Sequence, residues 1–210
     1  MLNGRWFTRK GIARYAVPIL AATVCLASPA QAQFSDGYKF LEAVKKKEGD
    51  KVEKYLNEPG STLINTRDVS TGRGAIHAVT ERRDITWLQY LVQKGANVNL
   101  RDDRGVTALQ IATGLGWIEG VEFLVENKAD VDSPNNTGET PLIDAVHRGN
   151  TQLVRILLKG GANPDRADNS GRSARDYAKL NGKSPQLLAT IEANAKPPAE
   201  KATKVYGPTF

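Results

Sequence analysis

Short apolar stretches, each bounded by a glycine-containing turn, recur through the middle of the chain. Four glycines set the period at 33 residues: Gly72, Gly105, Gly138 and Gly171. Two positions after each glycine a similar helical pattern begins, at Gly74, Thr107, Thr140 and Ser173. A fixed period of this length is the signature of a stacked repeat protein. The pattern therefore predicts an all-α repeat solenoid, an architecture that more often binds along an open surface than encloses an active site.

One unit, taken from Asp102, shows how the period predicts its elements. The run from Asp102 to Gly105 has the composition of a tight turn, in which the glycine can adopt a positive φ. Thr107 is suited to cap a short helix that Gly116 would end. The pattern that follows predicts a second helix from about Ile118 to Glu126. Its apolar residues, expected on the buried side, are Val121, Phe123, Leu124 and Val125.

These motifs resemble the ankyrin repeat, whose signature places Thr-Pro-Leu-His-x-Ala after an Asp-x-x-Gly turn. Thr140-Pro141-Leu142 follows Gly138 at that place, and the run from Leu153 to Asn163 continues the unit. The resemblance covers about residues 37–193. It implies about five helix–turn–helix units joined by hairpin-like turns. Their expected bounds are about 37–69, 70–102, 103–135, 136–168 and 169–193.

The first and last units depart from the pattern as the caps of a solenoid should. The first unit, from Phe40 to Leu56, has its glycine one position out of register, and one extra residue before Gly72 restores the phase. In the last unit Ser173 replaces threonine, and Arg175 stands where inner units are apolar. Terminal units have one face without a neighbour, so more polar sequences are expected there. Between units we expect a ladder of buried leucines: Leu109, Leu124, Leu142 and Leu157.

The first 32 residues have the pattern of a secretory signal peptide. They begin with basic residues and no acids: Arg5, Arg9, Lys10 and Arg14. An apolar run from Tyr15 to Ala27 follows, too short to span a bilayer as a helix. Ala30-Gln31-Ala32 then supplies a small-x-small cleavage motif, so we expect a cut after Ala32. A retained membrane anchor and a mitochondrial transit peptide are the alternatives, disfavoured by Pro18 and by the compact apolar stretch.

Removal of this segment changes the charge balance. The whole chain has a formal net charge of +6, from 29 Lys and Arg residues against 23 Asp and Glu residues. Without the four basic residues of the leader 25 remain against 23, a net charge of +2. The repeats contain no concentrated basic stripe, so nucleic acid is not an expected partner. After cleavage we expect no stable membrane insertion, and we expect a monomer.

No catalytic, metal or cofactor site is expected in the mature chain. The only cysteine, Cys25, leaves with the leader, which excludes thiolate chemistry. His77 takes the His position of the ankyrin signature, which implies hydrogen bonding within and between repeats. His147 ends a first helix, where the resemblance implies a contact residue on the concave surface. Neither histidine lies in a spacing typical of zinc ligands.

The chain changes character after about Ala193. Residues 194–210 lack apolar periodicity and contain several lysines and prolines, so a flexible tail is expected. A short partner-binding or self-docking segment is the alternative, because Tyr206 and Phe210 lie near its end.

The resemblance also implies where a partner would bind, since ankyrin repeats meet ligands with their hairpin tips and inner helix ends. The matching positions are Glu81, Arg82, Asp103, Arg104, Val106, Gly114, Leu115, Asn136, Thr137, Glu139, His147 and Arg148. Asn169, Ser170 and Arg172 extend this line into the last unit. The set mixes both charge signs with small and polar groups, which suits a protein better than a membrane or a polyanion. Three members are expected anchors because arginine forms bidentate contacts: Arg82, Arg104 and Arg148.

The sequence therefore predicts a non-catalytic module, exported to the periplasm or secreted, that binds another protein through its concave face and hairpin tips. Two other functions remain open. One is an exported effector that binds a host protein, and secretion of the folded protein beyond the cell would favour it. The other is an accessory factor for a periplasmic haem enzyme such as catalase, which a resemblance to periplasmic ankyrin proteins implies. Stable co-purification with that enzyme would favour it.

Overall fold

Pairs of short helices make up the part of the chain that the structure describes. The structure is a computed structural model, and it describes residues 35–180 and 185–195. The predicted cleavage site at Ala32 and residues 196–210 of the predicted tail lie outside the described residues. Within the described ranges, no helix combines the length and the apolar character needed to cross a membrane.

Five helix pairs follow one another within the described residues, and the first helix of each pair is called inner and the second outer. The pairs are α1 (Asp36–Lys45) with α2 (Gly49–Asn57), α3 (Ala75–Glu81) with α4 (Ile85–Gln93), α5 (Ala108–Gly114) with α6 (Ile118–Glu126), α7 (Pro141–His147) with α8 (Thr151–Lys159), and α9 (Ala174–Leu180) with α10 (Pro185–Asn194). A 3₁₀ turn at Leu63–Asn65 follows α2. The predicted all-α array of five helix–turn–helix units is confirmed, and α6 has the predicted bounds.

Residues flanking the helices decide where they begin and end. Thr107 caps α5 by accepting a hydrogen bond from the backbone N–H of Gln110 (3.3 Å), and Thr140 caps α7 through Ile143 in the same way. Each bond satisfies a donor that the first helical turn leaves without a partner. Gly116 follows α5 with a φ of +67°, a conformation that glycine adopts without steric cost. The predicted cap and the predicted helix end are confirmed.

The core lies between successive pairs. Each inner helix packs on the next, from α1 to α9, and the outer helices α6, α8 and α10 pack in the same order. The four leucines of the predicted ladder are at most 1% exposed: Leu109, Leu124, Leu142 and Leu157. Full burial of one leucine contributes roughly 1.5–3 kcal/mol, so neighbouring pairs stabilise one another through these contacts.

In the last unit Arg175 takes the register of Leu142 and pairs with Asp165 (2.7 Å).

One side chain organises each hairpin-like turn between pairs. The Oδ1 atom of Asp102 accepts hydrogen bonds from the backbone N–H groups of Arg104 and Val106 (2.9 and 2.8 Å). The equivalent acceptors in the other turns are Asp68, Asn135 and Asp168. Gly105 has a φ of +75°, as the turn composition predicted. Consecutive turns are joined by backbone hydrogen bonds, such as that from Asn136 N–H to the Arg104 carbonyl (2.9 Å). The turns therefore form a continuous ladder.

A second connection between pairs runs through His77, as the repeat signature implied. Its Nδ1 atom accepts from the N–H of Gly74 (3.0 Å), and its Nε2 atom lies 3.2 Å from the Val106 carbonyl oxygen in the next unit. Because Nδ1 accepts, the neutral ring carries its proton on Nε2 and donates it to that carbonyl. Gln110, one period later, accepts from the N–H of its own cap residue and donates to the Glu139 carbonyl (2.8 Å). His77 and Gln110 thus form equivalent hydrogen bonds to the next unit.

Replacement of His77 by glutamine is expected to make stability less sensitive to acid. His77 is fully buried, and this burial lowers its pKa below the ordinary value of 6.5. The native state therefore favours the neutral ring, whose contribution is complete above pH 6.5 and is lost as the pH falls further. Glutamine forms the same bonds at position 110 and does not titrate. Thermal unfolding followed by circular dichroism between about pH 7.5 and about pH 5 should show a smaller fall in Tm for His77→Gln.

The matched control is His147→Gln, which removes the exposed histidine of α7 and leaves the hydrogen bond from His77 to the Val106 carbonyl intact. If both substitutions flatten the pH dependence equally, the buried ring is not its cause.

Candidate functional site

The exposed side of the inner helices and the residues after the hairpin glycines form one surface, called the inner-helix face. It consists of Arg73, Ala78, Glu81, Val106, Ile111, Gly114, Leu115, Glu139, Asp144, His147, Arg148, Arg172 and Tyr177. Ion pairs and ring contacts connect the hairpin residues of this face to its helix residues. These contacts divide the face into three parts of different chemistry.

Charged residues organise the part of the face next to α1. Arg73 pairs with Glu81, and its Nε donates to the Oδ2 atom of Asp102 (3.3 Å). Burial alone would raise the pKa of Asp102, but two backbone N–H donors and Arg73 hold it below its ordinary value. Beside this ion pair, a groove of about 280 Å³ lies between α1, the first hairpin and α3, with Leu41 and Ala78 in its wall. This part therefore offers fixed charges at the edge of a partly apolar groove.

The middle part of the face carries no charged side chain among its described residues. Val106 and Ile111 expose part of their apolar side chains, and Gly114 and Leu115 are also partly exposed at the end of α5. Arg83 donates to the Leu115 carbonyl (2.6 Å), which fixes the end of that helix. The result is a small uncharged strip on a rigid helix.

Aromatic and charged side chains lie together in the part of the face next to α9. The His147 ring meets the Tyr177 ring edge-on, with the two centroids 4.4 Å apart. The guanidinium carbon of Arg172 lies 6.0 Å from the centroid of the same Tyr177 ring. Asp144 is partly buried on α7, where burial and the nearby charge of Glu139 raise its pKa to about 6. This part therefore holds a carboxyl group whose protonation changes in mildly acidic conditions.

Two family descriptions match this chain. One, ankyrin repeats (3 copies), matches residues 40–135, and the other, ankyrin repeats (many copies), matches residues 124–178. Together they cover residues 40–178, which is more than half of the chain. The chain belongs to the ankyrin-repeat family. A comparison with curated proteins found no match.

Ankyrin repeats are general protein–protein interaction modules and are typically non-catalytic. The family therefore supports the coarser part of the predicted function, the binding of another protein. Within residues 35–180 and 185–195 of the ankyrin array, no three His, Cys, Asp or Glu side chains are grouped so that they could hold a metal ion.

The ankyrin array places most of the predicted contact residues on two neighbouring surfaces. The inner-helix face carries Glu81, Val106, Gly114, Leu115, Glu139, His147 and Arg148, and the hairpin tips carry Asp103, Arg104, Asn136 and Thr137. The tip residues also hold the ladder of turns, because the Nδ2 atom of Asn136 donates to the Asp103 carbonyl (3.0 Å). Arg104 has 71% of its side chain exposed and lies 3.8 Å from Asp102. Whether these residues contact a partner stays a prediction.

Arg82 differs from the other predicted contact residues because its guanidinium lies against the preceding unit. Its Nη1 atom donates to the carbonyls of Val44 and Lys45 (3.0 and 3.2 Å). These carbonyls lie at the C-terminal end of α1, where the helix leaves acceptors without partners. The side chain is 25% exposed, with Asp84 4.0 Å away. The guanidinium thus connects α1 to α3, whereas Arg148, two periods later, is exposed.

Sequence reasoning did not identify five residues of the face: Arg73, Ala78, Ile111, Asp144 and Tyr177. The period itself could have identified Arg73, which follows a hairpin glycine as Val106 and Glu139 do. Ala78, Ile111, Asp144 and Tyr177 share a second register, in which no position was predicted to be a contact. The raised pKa of Asp144 had no such signal, because it depends first on burial and then on the charge of Glu139.

Replacement of Asp144 by asparagine is expected to stabilise the ankyrin array at neutral pH. The pKa of this carboxyl is about 6 in the native state against 3.8 for an unperturbed aspartate. Between these values the native state binds more protons than the unfolded state, so stability decreases as the pH rises through this window. The penalty is complete above pH 6, and Asp144→Asn removes it. The Tm of the variant should exceed that of the wild type at about pH 7.5, and the difference should shrink towards about pH 4.

Glu122→Gln, at an exposed position of α6, controls for the change in net charge. An equal gain in Tm for Asp144→Asn at both pH values would contradict the interpretation, because it would show that ionisation is not the origin of the effect.

Proposed function

We propose that this ankyrin-repeat protein is exported to the periplasm or secreted and there binds another protein without catalysis. The contact surface is the inner-helix face with the adjoining hairpin tips. The protein acts as a monomer, so each molecule offers one such surface.

The observation that carries this proposal is the arrangement of chemistry along the inner-helix face. The uncharged strip of Val106 and Ile111 lies between a charged part, with Arg73 and Glu81, and an aromatic and charged part around His147. An apolar centre with a polar rim is the typical anatomy of a protein–protein interface. Helices and hydrogen-bonded turns hold these groups in place, which reduces the entropy lost on binding.

The charges support a protein partner over the other classes of macromolecule. The face carries both signs: the charges of Glu139 and Arg148 both act on Asp144, and Arg172 lies near the Tyr177 ring. A polyanion or an anionic membrane would favour a surface of one positive sign. Mixed signs instead specify the orientation of a partner whose own charges are complementary.

The proposal of export rests on the leader. A basic start, a short apolar run and Ala30-Gln31-Ala32 are the three parts of a signal peptide in their expected order. Removal of Cys25 with the leader leaves a thiol-free chain, which suits an oxidising compartment.

Fractionation of a Gram-negative host that expresses the whole chain tests the export proposal. The chain should occur in the periplasmic fraction with Gln33 as its first residue, as determined by mass spectrometry of the intact protein. Ala32→Tyr should leave the leader attached, because signal peptidase requires a small residue at that position. A wild-type chain that starts at Met1 and stays in the cytoplasm would contradict the proposal.

A pull-down from native envelope extract with three forms of the chain tests the binding surface. The wild type should capture a partner that Arg104→Glu/Arg148→Glu loses, because both arginines are exposed on the proposed surface. The matched control, Arg155→Glu/Lys159→Glu, reverses two exposed charges on the outer helix α8 and should retain the partner. Circular dichroism establishes that all forms fold.

Equal capture by the two double variants would move the contact away from the inner-helix face. The identity of a captured partner would also separate an envelope enzyme from a host protein as the target.

A further inference from the structure

A cleft on the opposite side of the array lies between the outer helices α2 and α4. We call it the outer cleft, and it has a volume of about 290 Å³. Its lining consists of Gly49, Asp50, Glu53, Thr86, Trp87 and Tyr90. None of these residues belongs to the inner-helix face, so the cleft is a separate feature.

Two aromatic rings on α4 form one wall of the outer cleft. The rings of Trp87 and Tyr90 meet nearly edge-on, with centroids 5.8 Å apart and an interplanar angle of 75°. Both residues are partly exposed. The next units differ at the register of Trp87: Leu153 is fully buried, and Gly120 lies under the ring of Trp117. The open tryptophan of α4 therefore does not follow from the repeat pattern.

Two carboxylates on α2 face this aromatic wall across the outer cleft. Asp50 and Glu53 are exposed, and neither carboxylate forms a hydrogen bond or an ion pair with the part of the chain that the structure describes. Burial raises the pKa of the Tyr90 phenol, and the charge of Glu53 raises it further. The cleft therefore combines two carboxylates that form no ion pair with two partly exposed aromatic rings.

The molecule already places one cation on this aromatic surface. The Nζ atom of Lys94 lies 5.7 Å from the centroid of the Tyr90 ring. Lys51, the neighbour of Asp50 on α2, pairs with Glu48 (3.0 Å) and not with Asp50 or Glu53. An ammonium or guanidinium group near an aromatic face gains electrostatic attraction from the ring. Carboxylates beside the ring add to that attraction and oppose the entry of anions.

We propose that the outer cleft binds a basic peptide segment of a partner protein, with one cationic side chain between the rings of α4 and the carboxylates of α2. The aliphatic stem of that side chain covers Trp87 and Tyr90 while its charged end meets Asp50 and Glu53. The proposal is independent of the inner-helix face, because the two surfaces share no residue. It gives the array a second contact surface with a stated chemical preference.

Fluorine NMR of the whole chain labelled with 5-fluorotryptophan tests the proposal. The chain has three tryptophans, Trp6, Trp87 and Trp117, so each resonance can be assigned by one Trp→Phe substitution. The probe is the capped peptide acetyl-Gly-Lys-Gly-Lys-Gly-amide, and its control is the same peptide with both lysines acetylated. The lysine peptide should shift the Trp87 resonance in a saturable manner, whereas the acetylated peptide should not.

Two variants identify the groups responsible. Asp50→Asn/Glu53→Gln removes two exposed charges without changing the packed core, and it should weaken the binding of the lysine peptide by about fivefold. Glu122→Gln/Glu126→Gln changes the net charge by the same amount on α6 and should leave the affinity unchanged.

Three results would overturn the proposal. They are the absence of a Trp87 shift, an equal shift with the acetylated peptide, and a Trp87 shift that appears without peptide as the chain dimerises in sedimentation experiments. The last result would assign the cleft to a second copy of the chain. The pull-down with Arg104→Glu/Arg148→Glu tests the inner-helix face, and the peptide titration tests the outer cleft. A negative result in one experiment does not change the result of the other, so the two proposals can fail separately.

Discussion

Each helix pair of this protein can bury its apolar side chains only against the next pair, and the rest of the structure depends on this constraint. Leu109 and Leu142 are covered because α3, α5, α7 and α9 follow one another at a constant spacing. Stability is therefore approximately a sum of contributions from units and from the interfaces between them. The same constraint explains why Arg175 can replace an apolar residue in the last unit.

Stacking alone would leave the units free to slide, and polar groups remove that freedom. Backbone hydrogen bonds join the turns, for example from Asn169 to the Thr137 carbonyl (3.1 Å), and side chains such as Gln110 connect one unit to the next. These bonds are directional, so they hold each unit in one register relative to its neighbour. Residues 33 positions apart consequently lie side by side. The chemistry of the inner-helix face can therefore change from one unit to the next through the residue at a single equivalent position in each unit.

The sequence predicted those features that repeat, and it failed for those that depend on contacts between particular units. The bounds of α6, the cap at Thr107 and the turn at Gly105 follow from local preferences that recur at each period. Arg82 looked equivalent to Arg148, yet it turns to the free carbonyls at the end of α1. The open position of Trp87 depends on its neighbours in α2, which a repeat pattern does not describe. Local chemistry was therefore predictable, and the differences between equivalent positions were not.

The exchange of His77 for Gln110 between two equivalent positions gives the array a preferred point of failure. Both side chains bridge two units with the same geometry, but only the imidazole can take up a proton, and a second ring proton would face the N–H of Gly74. In acid, the junction between α3 and α5 is therefore expected to loosen while the junction between α5 and α7 holds. The chain would then come apart as two segments of unequal length, each keeping its internal stacking.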